Sequence, residues 1–186
     1  MRPASAAPPA SGKEASLLIK TNPGTDFSLS PFPAIETNPG TDFSLSPHPA
    51  IDLTDLINSA RFVRGGRTPA ALDCQGLMIE VMRRFGHAVQ PCDLANYATC
   101  QVAAAVAGQA ASGKWARVDA ASDALPGGLV VALALDPQAP GDAQHLGVTI
   151  GGGKFIHILA TRGVLVSRLD DRFFANKIRG YYRWIG

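Results

Sequence analysis

Three side chains in this sequence have the types and spacing for nucleophilic chemistry. Cys74 directly follows Asp73, which reads as the N-cap of a helix over residues 74–85, CQGLMIEVMRRF. A cysteine in the first turn of a helix meets unpaired backbone N–H groups and the positive end of the dipole, and both favour thiolate over thiol. The loop Gly65-Gly66-Arg67-Thr68-Pro69 precedes it and lets backbone approach a substrate closely. A helix-start cysteine by itself is as compatible with a buried structural residue, so its partners decide. A thiolate nucleophile needs a group that takes its proton and later returns it to a leaving amine, and imidazole suits that task near neutral pH. His145 opens one strand-like segment, and His157 lies in the next, beyond Gly151-Gly152-Gly153. If all three glycines form the loop, positions 145 and 159 pair, and His145 and His157 become diagonal neighbours on one face. A two-residue loop would shift the register by one and separate them. His157 is flanked by Ile156, Ile158 and Leu159, so a hydrogen-bonded core histidine is the competing reading.

The elements that must position these groups follow from periodicity. Thr54 reads as the N-cap of a short helix through DLINSARF, broken by Gly65-Gly66. In the Cys74 helix, Leu77, Met78, Val81, Met82 and Phe85 form one apolar face. Arg83 and Arg84 fall in its last turn, and Gly86 suits C′. Asp93 reads as the cap of a third, alanine-rich helix ending near Gly108. After Pro126 the period changes. Residues 129–135, 145–150, 154–160 and 163–169 read as strands, RFFANK as a short helix begun at Asp171 or its neighbour, and IRGYYRWI as a final strand. Helices first and an antiparallel meander after them make an α+β layout, with the helices packed on the sheet.

Chain-wide quantities narrow the function classes. The 186 residues are 46% hydrophobic and 17% charged, enough for a real core. A net charge of +2 is too balanced for a dedicated nucleic-acid binder. No apolar run approaches the ~20 residues of a membrane span, and the N-terminus has no apolar signal region. Synthesis in the cytoplasm without a standard signal peptide is the expectation. Three widely spaced cysteines give neither a closed disulfide framework nor a metal pattern, and no cofactor is read.

Composition shifts near residue 52, with nine of the fourteen prolines before it. Residues 1–52 read as a Pro-rich extended leader, and 53–186 as the catalytic domain. The leader holds a tandem repeat, 21–36 and 37–52, identical at fourteen of sixteen positions. It reads either as a linker or as a docking or plug segment anchored by Phe27 and Phe43.

Two stretches, RGGRTPAALDCQGLMIEVMRRFG and HLGVTIGGGKFIHILATRGVLVSRL, with the ending IRGYYRW, resemble the signatures of NlpC/P60 cysteine peptidases in their order. The resemblance covers residues 54–186, and its wording is nearest to phage-tail-associated members. It implies a papain-like fold with Cys74 as nucleophile, His145 as base and His157 as the orienting third residue. Relatives mostly cut peptidoglycan stem peptides, often between D-γ-glutamate and a diamino acid. Carried over, this makes the chain a peptidoglycan endopeptidase, with Asp73, Gln75 and Arg67 as candidate substrate contacts. It would act on the cell wall after non-standard export, lysis or injection. A phage-tail, secretion-apparatus or immunity protein would be a further partner; nucleic acid and membrane insertion are not expected. Departures concern substrate preference. Phe62 stands near where the family often has Tyr, Gln75 where Ser is common, and Gly127-Gly128 where Gly-Asp is frequent.

Two other readings stay open: an acyltransferase or amidase acting on a lipid or protein, and a non-enzymatic assembly module. Product analysis by mass spectrometry separates the first from wall cleavage; alkylation of Cys74 separates the second, with strong reactivity near pH 6 expected of the enzyme and ordinary alkaline reactivity of the inert module. Cys92 and Cys100 read as buried apolar fillers, His87 as a surface residue, and Trp115, Tyr181, Tyr182 and Trp184 mainly as core. Arg162 and Arg168 read either as contacts to acidic substrate groups or as a solvated strand face.

Overall fold

A computed structural model describes residues 51–92, 98–119 and 125–186. The leader to residue 50, with its repeat, and Asp93 lie outside the described residues. The chain runs α1 (Thr54–Ser59), β1 (Arg61–Phe62), β2 (Arg67–Thr68), β3 (Ala71–Leu72), α2 (Cys74–Arg84) and α3 (Thr99–Ala110). It continues with β4 (Trp115–Val118), β5 (Gly127–Leu133), β6 (His145–Gly151), β7 (Lys154–Leu159), β8 (Gly163–Arg168), α4 (Arg172–Ala175) and β9 (Ile178–Trp184). The main sheet has the order β4-β9-β5-β6-β7-β8, every pair antiparallel. The expected meander is therefore its β5–β8 half, and β9 returns to the other edge of β5 to meet β4. Two-residue strands β1, β3 and β2 form a separate small sheet before α2. The fold is α+β, with helices packed on an antiparallel sheet.

Strands β5 and β7 are apolar on both faces because both faces are covered. Along β7, Ile156 and Ile158 join a core shared with α1 and α2. Phe155 turns the other way into a second core with Leu129, Val131, Leu133, Leu169 and Phe174 of α4. Helix α2 lies on β6 and β7 with Leu77, Met78, Val81 and Met82 buried, as its spacing predicts. Its last turn is tied to α1 by Arg84, which bonds Asp55 at 2.6 Å and Glu80 at 3.0 Å. Gly86, at φ +87°, takes the left-handed position just past the helix.

The structure moves two expected caps; α3 begins at Thr99 with Ala98 as its N-cap, not behind Asp93. Leu53, not Thr54, is the N-cap of α1, and Thr54 is its first residue. The Asp52 carboxylate accepts from the Thr54 N–H at 2.9 Å instead, supplying an acceptor one step earlier in the chain.

The glycine turn also differs from expectation. Gly151 pairs with Lys154, so only Gly152-Gly153 form the loop, both at positive φ, as a tight hairpin requires. That should have put the two histidines on opposite faces. It does not, because a bulge between Thr149 and Gly151 absorbs the extra residue, and the ladder resumes at Thr149–Phe155. Gly147 then faces His157, and the histidine side chains share a face.

Candidate active site

Asp73 holds the entry to α2. Its backbone is extended, and its buried carboxylate accepts from Gly76 N–H at 2.8 Å and Gly65 N–H at 2.9 Å, with the Arg67 guanidinium at 2.6 Å. Arg67 also donates to the Gly66 carbonyl at 2.7 Å and to the Gln75 side-chain carbonyl. Gln75 in turn donates to Cys92 Sγ. The three candidate substrate contacts therefore form one network at the lip of α2, and the Asp73 carboxylate is spent on the loop and the helix.

Cys74 and His145 line one cleft of about 190 Å³, together with Phe62, Arg64, Asp73, Gln75, Cys92, Gln144 and Leu146. The aromatic wall at Phe62 carries no hydroxyl. The Cys74 thiol is pushed up to about 11, first by burial and next by the Asp73 charge; the Leu146 and Gln75 backbone N–H groups oppose this. This corrects the expectation of a favoured thiolate: helix-start N–H groups act in the expected direction, but desolvation outweighs them. The Leu146 N–H also locates the sulfur beside the residue that follows His145.

His145 Nε2 lies 3.3 Å from His157 Nδ1, which leaves Nδ1 as the ring nitrogen of His145 that His157 does not engage. Burial lowers His145 to about 3 and His157 to about 4, so both rings are neutral at neutral pH. His157 is fully buried, stacked on Phe155 with centroids 4.8 Å apart and met edge-on by Phe174 at 5.1 Å. It is thus a core histidine and a neighbour of His145 at once. Gly147, opposite His157, has no room for a side chain: a Cβ there would lie 2.7 Å from the Phe155 ring and 3.0 Å from the Ile156 carbonyl.

One contact was not read from the sequence. Ser167 Oγ lies 3.0 Å from His157 Nε2. Strand alternation was the available signal: Ser167 pairs with Phe155, and His157 is diagonal to it on β7. Two cysteine readings are corrected. Cys100 is exposed and Cys92 half-buried, because no residue of α3 is buried and Cys92 accepts from Gln75 at the cleft. Trp115 and Tyr182 are core, with Trp184 packed edge-on against Trp115 at 4.8 Å. Arg168 is paired with Asp170 at 2.7 Å.

The NlpC/P60 family model matches residues 59–183. Among solved structures, NlpC1 from Trichomonas vaginalis is 20% identical with a TM-score of 0.50, over 69% of this chain and 41% of that one. NlpC2 from the same organism is also 20% identical, with a TM-score of 0.50, over 69% and 45%. A Staphylococcus aureus protein, described as similar to lipoprotein and of the NLP/P60 family, is 17% identical with a TM-score of 0.50, over 78% and 45%. This chain thus spans less than half the length of these three, and at such identities they speak to its fold. No curated protein sequence matches. A family model over two-thirds of the chain, laid on this helix-start cysteine and hairpin histidine pair, settles the lineage: the chain belongs to the NlpC/P60 family.

Proposed function

We propose that this chain is a cysteine peptidase that hydrolyses peptide bonds in bacterial peptidoglycan stem peptides, with D-γ-glutamyl-diamino acid as the bond cut. The observation that carries the reading is the juxtaposition of Cys74 and His145 in one cleft, with His145 Nε2 3.3 Å from His157. Family membership supplies the substrate class.

The chemistry is acyl transfer. Because the resting thiol and imidazole are both neutral, the sulfur gives its proton to His145 Nδ1 as it bonds to the scissile carbonyl carbon. The oxyanion that forms is held by the Cys74 backbone N–H at the start of α2, a kind of donor worth ~3 kcal/mol. His145 then protonates the departing amine, whose C–N bond breaks, and a thioester remains. Water, deprotonated by His145, attacks the thioester carbon and releases the acid and the thiol. His157 keeps the His145 ring oriented throughout. Asp73 and Arg67 act on substrate through the loop they hold, while Gln75 faces the cleft.

Hydrolysis of purified cell wall, read by soluble peptide release and mass spectrometry, tests this. Cys74→Ala should abolish release with the fold retained. His145→Ala should be nearly as severe, and His157→Ala milder. A Cys74→Ala protein as active as the wild type rules out the thiol mechanism.

A further inference from the structure

His157 has one ring proton to place and two nitrogens to place it on. Its ring is enclosed by Phe155 and Phe174, which offer no hydrogen bond, and each nitrogen has a different polar neighbour. His145 Nε2 stands 3.3 Å from Nδ1, and Ser167 Oγ stands 3.0 Å from Nε2. We propose that Ser167 is a positioning residue, whose hydroxyl oxygen accepts from His157 Nε2–H and thereby orients every proton between itself and Cys74. The proposal rests on the Cys-His-His reading above, though its first readout does not need hydrolysis.

The direction of the chain follows from donor and acceptor counting. For His145 to take the thiol proton, its Nδ1 must carry the lone pair, so its proton sits on Nε2. That N–H must donate to His157 Nδ1, which must therefore be a lone pair as well. The His157 proton is then on Nε2 and needs an acceptor, and Ser167 Oγ is the atom there. If Ser167 donated instead, each ring would switch tautomer and His145 Nδ1 would present N–H to the sulfur. A serine hydroxyl can do either, so its surroundings decide. Ser167 is half-buried on β8, the edge strand of the main sheet. Half-buried there, its O–H is free to turn toward solvent while its oxygen faces His157.

The test is 15N–1H correlation of the imidazoles at neutral pH, alongside steady-state hydrolysis. In the wild type both histidines should show protonated Nε2; protonated Nδ1 on His157 overturns the proposal without any variant. Ser167→Ala should populate the other His157 tautomer and lower kcat about five- to tenfold, with KM within about twofold. Ser167→Thr, which keeps the hydroxyl, should restore both. A Ser167→Ala protein with wild-type tautomers and kcat also overturns it. If the wild type shows the stated tautomers but cuts no cell wall, the functional reading fails while the proton arrangement stands.

Discussion

At the scale of single residues, the site is arranged for neutrality before substrate arrives. Burial raises Cys74 to about 11 and lowers His145 to about 3, so the resting pair is thiol and imidazole rather than thiolate and imidazolium. Below its pKa, the thiolate fraction grows about tenfold per pH unit. The alkylation rate of Cys74 by iodoacetamide should therefore keep climbing through pH ~9, where an ordinary exposed thiol approaches its plateau. Measured rates from pH 5 to 10.5, with Cys74→Ala as the blank for Cys92 and Cys100, check this. A plateau already reached near pH 6 would show a preformed ion pair, and proton transfer would then precede substrate. Alkaline reactivity, expected from the sequence of an inert module only, then does not separate module from enzyme, because a buried thiol ionises late in either case.

At the scale of elements, among the described residues, two of the three register shifts in the main sheet meet at Thr149. One lies on β6 beside the glycine turn; the other lies on β5 between Gly127 and Val130. The fully buried Thr149 hydroxyl bridges the second, accepting from Leu129 N–H at 2.9 Å and donating to the Pro126 carbonyl at 2.6 Å. Thr149→Val keeps the shape and strands both backbone groups. It should cost ~2–3 kcal/mol of unfolding free energy, read from urea titration, with Thr149→Ser recovering most of it. An unchanged midpoint in Thr149→Val would mean that water replaces the hydroxyl. The same element explains what was legible beforehand. Helix α2 was, because five apolar residues at helical spacing, the Asp73 cap and the Gly86 stop all agree. The strands were, because apolar, often β-branched runs sit between glycine turns. Two-residue strands β1 to β3 are too short to show alternation, and β4 finds its partner β9 more than sixty residues later, a pairing no local pattern reveals. The histidines share the expected face although the loop is one residue shorter than the three glycines suggest, because the bulge on β6 returns the ladder to the expected register. Ser167 needed that register first, since a serine in a strand carries no signal of its own.

At the scale of the whole molecule, the site straddles two cores. Cys74 packs on the core under α1 and α2, while His157 is enclosed by Phe155 and Phe174 of the core under α4. Two neutral imidazoles between the cores make folding sensitive to acid in a definite window. A histidine lowered from 6.5 to about 3 or 4 binds fewer protons folded than unfolded at every pH in between. Stability therefore rises with pH there, and it is lost as pH falls below 6.5. Carboxylates with lowered values, such as Asp55 and Glu80, add their own loss only near and below the ordinary carboxylate range, so pH 6.5 to about 4.5 belongs to the histidines. With two rings the loss should be about 2 kcal/mol per pH unit, or roughly 4–8 °C in Tm. Calorimetry across that window should show the slope in the wild type and a flatter line in the His145→Gln, His157→Gln double variant, since glutamine does not titrate. His87 and His48 are present in both proteins and cancel in the comparison. Parallel lines would mean that the two rings accept protons in the folded state at little cost, and the neutral pair inferred at the residue scale would fall with them.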